Sequence, residues 1–152
     1  MQQDGVSLIY VYCSAPSKTV IVNLSVEHPS EDPHLGSVKQ ASVSVVIPAG
    51  GTALQVMENA ANEYGSPYEF TAKYDGGSLH GFFIDKINGI PSNNTQTPPS
   101  DNYYWEFLIR YPNGTVKPSH LGISTYYFDI DGYGMIMRLT KIPHYRKQIY
   151  TS

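Results

Sequence analysis

Between residues 103 and 111 apolar and aromatic side chains alternate with others in a way that few folds can accommodate. Tyr103, Trp105, Phe107, Ile109 and Tyr111 fall on one parity, and Tyr104, Glu106, Leu108 and Arg110 on the other. Successive side chains of a strand point to opposite faces, so this run reads as a strand with one face turned to an apolar core. A helix, with its period of ~3.6, would scatter the same rings around its circumference. The pattern returns at Val20, Val22, Leu24 and Val26, at Val43, Val45 and Ile47, at Tyr68, Phe70, Ala72 and Tyr74, and at Met135, Met137 and Leu139. Turn signals punctuate these runs at Asp75-Gly76-Gly77, Asn88-Gly89 and Pro112-Asn113-Gly114. The stretch 79–87 is strand-like but less cleanly sided, and 28–40 and 91–101 read as polar surface loops containing proline.

One segment has helical spacing instead. Thr52-Ala53-Leu54-Gln55 has the form of a capping box, and Ala53, Met57, Ala60, Ala61 and Tyr64 share a face at three-and-four spacing. Gly65 followed by Pro67 is expected to end the helix with a left-handed cap and a breaker. With no second helix to meet, the apolar stripe must cover a sheet face. The expected class is therefore α+β, a β-grasp-like fold of mostly antiparallel strands with one covering helix at about 52–64. At 152 residues the chain supports one hydrophobic core. The expected layout is an N-terminal lead at 1–19, a single domain at 20–142 and a tail at 143–152 that carries His144, Arg146 and Lys147.

Charge removes several function classes. Ten Lys and Arg stand against 13 Asp and Glu, a net charge of -3, which provides no electrostatic footprint for a nucleic acid. No apolar run approaches the ~18 residues of a membrane span, and Leu8 to Cys13 is too short for the apolar centre of a signal peptide. With Met1 set aside, Gln2-Gln3-Asp4-Gly5 reads as the start of a mature secreted chain. Three Asn-x-Ser/Thr triplets, at Asn23, Asn93 and Asn113, fit an extracellular glycoprotein. Asn93 and Asn113 are expected to be exposed and glycosylatable, and Asn23 lies on the less apolar side of its strand.

The motifs of catalysis are missing or incomplete. Gly122-Ile123-Ser124-Thr125-Tyr126 lacks the second glycine of a serine-hydrolase elbow. The single cysteine, Cys13, lies in an apolar run where nothing local lowers its pKa. The five histidines, His28, His34, His80, His120 and His144, show no ligand spacing for a metal. Asp129-Ile130-Asp131-Gly132 resembles the opening of a calcium loop, but the glycine comes two places early and Thr140 stands at the twelfth position, so a tight turn is expected. Neither Gly50-Gly51 nor Gly76-Gly77 has the lysine and spacing of a phosphate loop. The expectation is a non-enzymatic protein with no catalytic residues, no metal and no resident cofactor. What remains is aromatic: Tyr103, Tyr104, Trp105 and Phe107, then Tyr126, Tyr127 and Phe128, rings of the kind that build recognition surfaces.

Three motifs carry a family resemblance: Gly81-Phe82-Phe83-Ile84-Asp85-Lys86-Ile87-Asn88-Gly89-Ile90, Tyr104-Trp105-Glu106-Phe107-Leu108 and Gly122-Ile123-Ser124-Thr125-Tyr126. In order and spacing they resemble the C-terminal β-domain of the cobalamin carriers, the family of transcobalamin, intrinsic factor and haptocorrin. The likeness covers about residues 41–142, and the same small domain also occurs in secreted bacterial proteins of unknown role. In the carriers, the vitamin lies between a helical barrel and this β-domain. The resemblance implies a ligand-facing edge built from Trp105, His120, Leu121, Gly122, Ile123 and Tyr126, contacting a corrinoid-like ligand or a partner protein. The chain departs from the carriers in two ways. It contains no helical barrel, and Asp129-Ile130-Asp131-Gly132-Tyr133-Gly134 replaces their Gly-Asp turn. With one wall of a sandwich site, less of a ligand is buried, so binding is expected to be weak. A different class of function, a Tyr-rich extracellular structural or adhesive protein, would place the tyrosines and Cys13 in contacts between molecules.

Overall fold

The computed structural model describes residues 18–27, 40–74, 81–92 and 103–141. Most of the lead, the tail, Cys13, Asn93, His28, His34, His80, His144 and the Asp75-Gly76-Gly77 turn lie outside the described residues. The elements in chain order are β1 (Thr19–Glu27), β2 (Ala41–Pro48), β3 (Gly51–Thr52), α1 (Ala53–Tyr64), β4 (Phe70–Tyr74), β5 (Phe82–Ile87), β6 (Ile90–Pro91), β7 (Tyr103–Arg110), β8 (Val116–Pro118), β9 (Tyr127–Phe128) and β10 (Gly134–Lys141). The class is α+β, mostly strands with a single helix among the described residues. The alternating runs form strands, although Tyr68 precedes β4 and Tyr111 follows β7. Four further strands, β3, β6, β8 and β9, are too short to carry a readable period.

The main sheet has five strands in the order β2-β1-β10-β7-β8. Its central pair, β1 and β10, is parallel, and the other pairings are antiparallel. Register explains why the alternations agree. Leu24 lies opposite Val43 on one side and Met135 on the other, and Met135 lies opposite Ile109, so the apolar parity of four strands reaches one face. There Val22, Leu24, Val45, Ile109, Met135 and Met137 pack with Val56, Met57 and Ala60 of α1 in one core. Each such side chain contributes ~1.5–3 kcal/mol on leaving water. The opposite face is mixed: Ile136, Leu108 and Ser25 are buried, whereas the cross-strand pair Ile21 and Val46 is exposed.

The capping box forms as expected. Thr52 Oγ1 accepts from the Gln55 amide at 3.3 Å, and Gln55 Oε1 accepts from the Thr52 amide at 2.8 Å. Two details of the helix differ from the sequence reading. The buried stripe is Ala53, Val56, Met57 and Ala60, while Tyr64 is exposed and meets Tyr68 edge-on at 6.3 Å. The stripe thus closes one turn before the helix ends. Gly65 has φ 65° and ψ -143°, a positive-φ residue outside the left-handed helical region, and its amide donates to the Ala61 carbonyl. The helix therefore ends on a glycine, but not through a left-handed cap.

The second sheet, β4-β5-β6, explains the poorly sided stretch at 79–87. The register shifts between Thr71 and Ala72, which pair with Lys86 and Ile84, leaving Asp85 as an extra residue on β5. A bulge reverses parity beyond it, so Ile84 and Ile87, three apart, are both buried. The two sheets are tied by Trp105, whose Nε1–H donates to the Ile90 carbonyl at 3.0 Å.

Candidate functional site

Five of the six residues that the resemblance points to, all but Trp105, lie on one loop, 119–126, which crosses the start of α1. The first amides of a helix lack intrahelical partners. Here the Ala53 amide donates to the Tyr126 carbonyl at 2.9 Å, and the Leu54 amide donates to the Ile123 carbonyl at 2.8 Å. The helix start is thus occupied by the loop's own backbone. The loop is closed on itself as well: the Gly122 carbonyl accepts from the amides of Thr125 and Tyr126 and from Thr125 Oγ1. Ser119 Oγ donates to the Leu121 carbonyl at 2.7 Å and accepts from the Leu121 amide at 3.0 Å. A loop held by so many backbone bonds presents a fixed surface.

Its residues divide by depth. Ile123 and Gly122 are buried beneath the loop, and Tyr126 is half-buried, edge-on to Phe107 at 5.8 Å and tilted on Phe128 at 5.1 Å. Burial, and then the neighbouring Tyr111 and Tyr133, push the Tyr126 hydroxyl above its ordinary value of 10.0. His120 and Leu121 are turned to solvent, Leu121 with 49% of its surface exposed. Trp105 is elsewhere: it is only 6% exposed, belongs to the core and faces Leu139 across the β7–β10 ladder. Its indole lies under the small sheet and supports that sheet from inside.

What the sequence did not single out is the partner of this loop. Gly81, with φ 71°, comes so close that a Cβ there would lie 3.6 Å from Ser124 Oγ and 3.9 Å from the Tyr74 ring. Tyr74 and Phe82 pair across β4 and β5, their rings 5.2 Å apart, and are 67% and 37% exposed. Loop 119–126 therefore borders an exposed aromatic pair of the small sheet. The available signal was Gly81-Phe82-Phe83 itself: consecutive aromatics on a strand point to both faces, and a small two-sided sheet cannot bury both. Lys73 and Asp85, 3.5 Å apart, form an ion pair on this sheet.

The other sequence readings resolve as local structure. Asp131 Oδ1 accepts from the Ile21 amide at 2.7 Å, occupying a β1 donor beyond the first paired residue of β10, so this turn acts as a strand cap. Among the described residues no three His, Cys, Asp or Glu side chains come together as a metal site, and no helix is long and apolar enough to cross a membrane. Asn113 is exposed, with its Oδ1 accepting from the Thr115 amide at 3.0 Å. Asn23 is exposed on the outer face, where its Oδ1 accepts from Ser42 Oγ.

No family model matches the chain, and no curated protein matches it in sequence. Among solved structures, the chain is similar in fold to haptocorrin, solved in complex with Cbi, with a TM-score of 0.60 and 22% identity. The match covers 81% of this chain and 26% of the haptocorrin chain, so the likeness is to about a quarter of that protein.

Proposed function

We propose that the chain is a secreted, non-enzymatic binding module of the cobalamin-carrier β-domain type, with a β-grasp-like domain at 20–142 between a lead and a tail. The observation that carries this reading is the fixed, partly apolar edge where loop 119–126 meets Tyr74, Gly81 and Phe82, in a fold shared with haptocorrin. In this reading Leu121 and His120 touch a corrinoid-like ligand or a partner protein. Gly122, buried, closes the loop through its carbonyl, Ile123 and Tyr126 support the loop, and Trp105 holds the small sheet beneath the edge. A single open wall buries one side of a ligand, so the expected affinity is micromolar or weaker. Secretion is supported by the sequons, and Asn113 is the foremost glycan acceptor because its turn is exposed, with Asn23 and Asn93 as further acceptors.

Titration of the full chain with cobalamin and with cobinamide, followed by corrinoid absorbance and Trp105 fluorescence, tests the ligand. Saturable change with either is expected, and no response at high micromolar corrinoid overturns the corrinoid reading. Expression in a secreting eukaryotic host, with mass measured before and after glycosidase, tests the compartment: an unchanged mass removes the support from the sequons.

A further inference from the structure

A concave feature lies on the β9–β10 side of the molecule, outside the edge described above except that it shares Tyr126. It is an open depression of ≈ 220 Å³ lined by Tyr126, Tyr127, Phe128, Asp129, Ile130 and Tyr133. Phe128 is buried, while Tyr127 and Ile130, 62% and 60% exposed, carry large apolar surfaces with nothing in the described structure covering them. Asp129 is exposed and has no ion-pair or hydrogen-bond partner among the described residues. The volume falls below the ~300–1,000 Å³ of sites for drug-sized ligands, so a corrin ring does not fit, whereas one amino-acid side chain does.

We propose that this depression takes the side chain of an arginine or lysine presented by a partner polypeptide. Tyrosine rings offer a negative face to a cation, and the exposed carboxylate of Asp129 supplies the opposite charge. The cluster already shows this chemistry internally: Lys117 Nζ lies 5.8 Å from the centre of the Tyr111 ring, and that ring packs at 5.6 Å on Tyr133. The net charge of -3 favours a basic partner in the same sense. Because the depression is open, a side chain can enter it from a second molecule without rearrangement of the rim.

The test is amide chemical-shift titration of the full, isotope-labelled chain with acetyl-Gly-Arg-Gly-amide and with the same peptide carrying citrulline, which keeps the shape and removes the charge. Saturable shifts confined to residues 126–133 are expected with arginine, with affinity about fivefold weaker for citrulline, the factor of one exposed charge contact. Asp129→Asn should lower arginine affinity by the same factor, and Tyr127→Ala should weaken both peptides. Both residues are exposed, so neither variant threatens the fold. Equal binding of the arginine and citrulline peptides, an arginine affinity unmoved by Asp129→Asn, or no saturable shift at tens of millimolar peptide would each overturn the proposal. Failure of the chain to bind corrinoids leaves these outcomes untouched.

Discussion

The two larger sheets use similar residues to different ends. In β1, β7 and β10 every second side chain meets its counterpart on the neighbouring strand, and the shared face is sealed by α1. In β4 and β5 a bulge at Asp85 lets both Ile84 and Ile87 reach the core, while Tyr74 and Phe82, on the same face as Ile84, lie where the strands run past that core. Strict alternation over a long strand sends every second side chain into one core, and only the outer face leaves apolar residues such as Ile21 and Val46 in solvent. A strand that runs past its core supplies both a buried anchor and an exposed ring. The large sheet specifies the fold, and the small one leaves aromatic surface exposed.

The sharpest way to break this comparison is to remove volume from the sealed face. Met137 is fully buried opposite Phe107 and beside Val26 on the central strands. Met137→Ala should cost ~2–5 kcal/mol, as truncations in close-packed cores do, and urea unfolding with an unchanged slope would measure it. A loss under ~1 kcal/mol would mean that the face is loosely packed and that the two sheets do not differ as argued.

The junction between the sheets comes next. Trp105→Phe keeps an aromatic ring in the core but removes the Nε1 donor, leaving the Ile90 carbonyl without its partner. The expected cost is ~1–3 kcal/mol. Hydrogen exchange should show the loss first in β5 and β6, since these strands lean on that bond. Equal loss of protection throughout β1 and β10 would show that the small sheet has no separate identity.

This junction also marks the limit of what the sequence discloses. The parity of Trp105 was readable, and it assigns the ring to the same face as Phe107 and Ile109. Parity cannot say whether a ring at that face ends under another sheet or at an open rim. That depends on β6, two residues long, and on a bulge at Asp85 that leaves no mark in a period-2 pattern. The capping box was legible because it is a bond between residues three apart. The same helix start is also bound by carbonyls about 70 residues later in the chain, at Ile123 and Tyr126, and no local pattern announces that contact. The loop could thus be named from its motif, whereas Tyr74 and Phe82 beside it required the fold.

A smaller effect should appear at alkaline pH. Burial raises the hydroxyl pKa of Tyr126, helped by Tyr111 and Tyr133, and that of Tyr68, helped by Tyr64, above the ordinary 10.0. The folded protein therefore keeps these protons where the unfolded chain has begun to lose them. Their contribution is fully present below pH 10 and is lost as pH rises through the folded-state values. Chemical denaturation at a series of pH values should show stability falling across that window, with a shallower fall for Tyr126→Phe. An identical pH slope in the variant would place Tyr126 in water and detach loop 119–126 from the core.

The smallest effect on stability is the one that bears most on the exposed edge. Phe82 sits at the end of the small sheet, in contact with the Tyr74 ring and beyond the seal of the main core. Phe82→Ala removes surface that is already partly wet, so the change should stay near ~0.5 kcal/mol, far below the cost at Met137. If the edge binds, the same substitution should weaken the corrinoid response severalfold, because the ring is then desolvated only in the complex. A large loss of stability with unchanged binding would make Phe82 a core residue, and the contrast between the two sheets would then be one of size alone. A small loss of stability with a clear loss of binding would show that Phe82, where β5 runs past the core, is exposed for contact with a ligand.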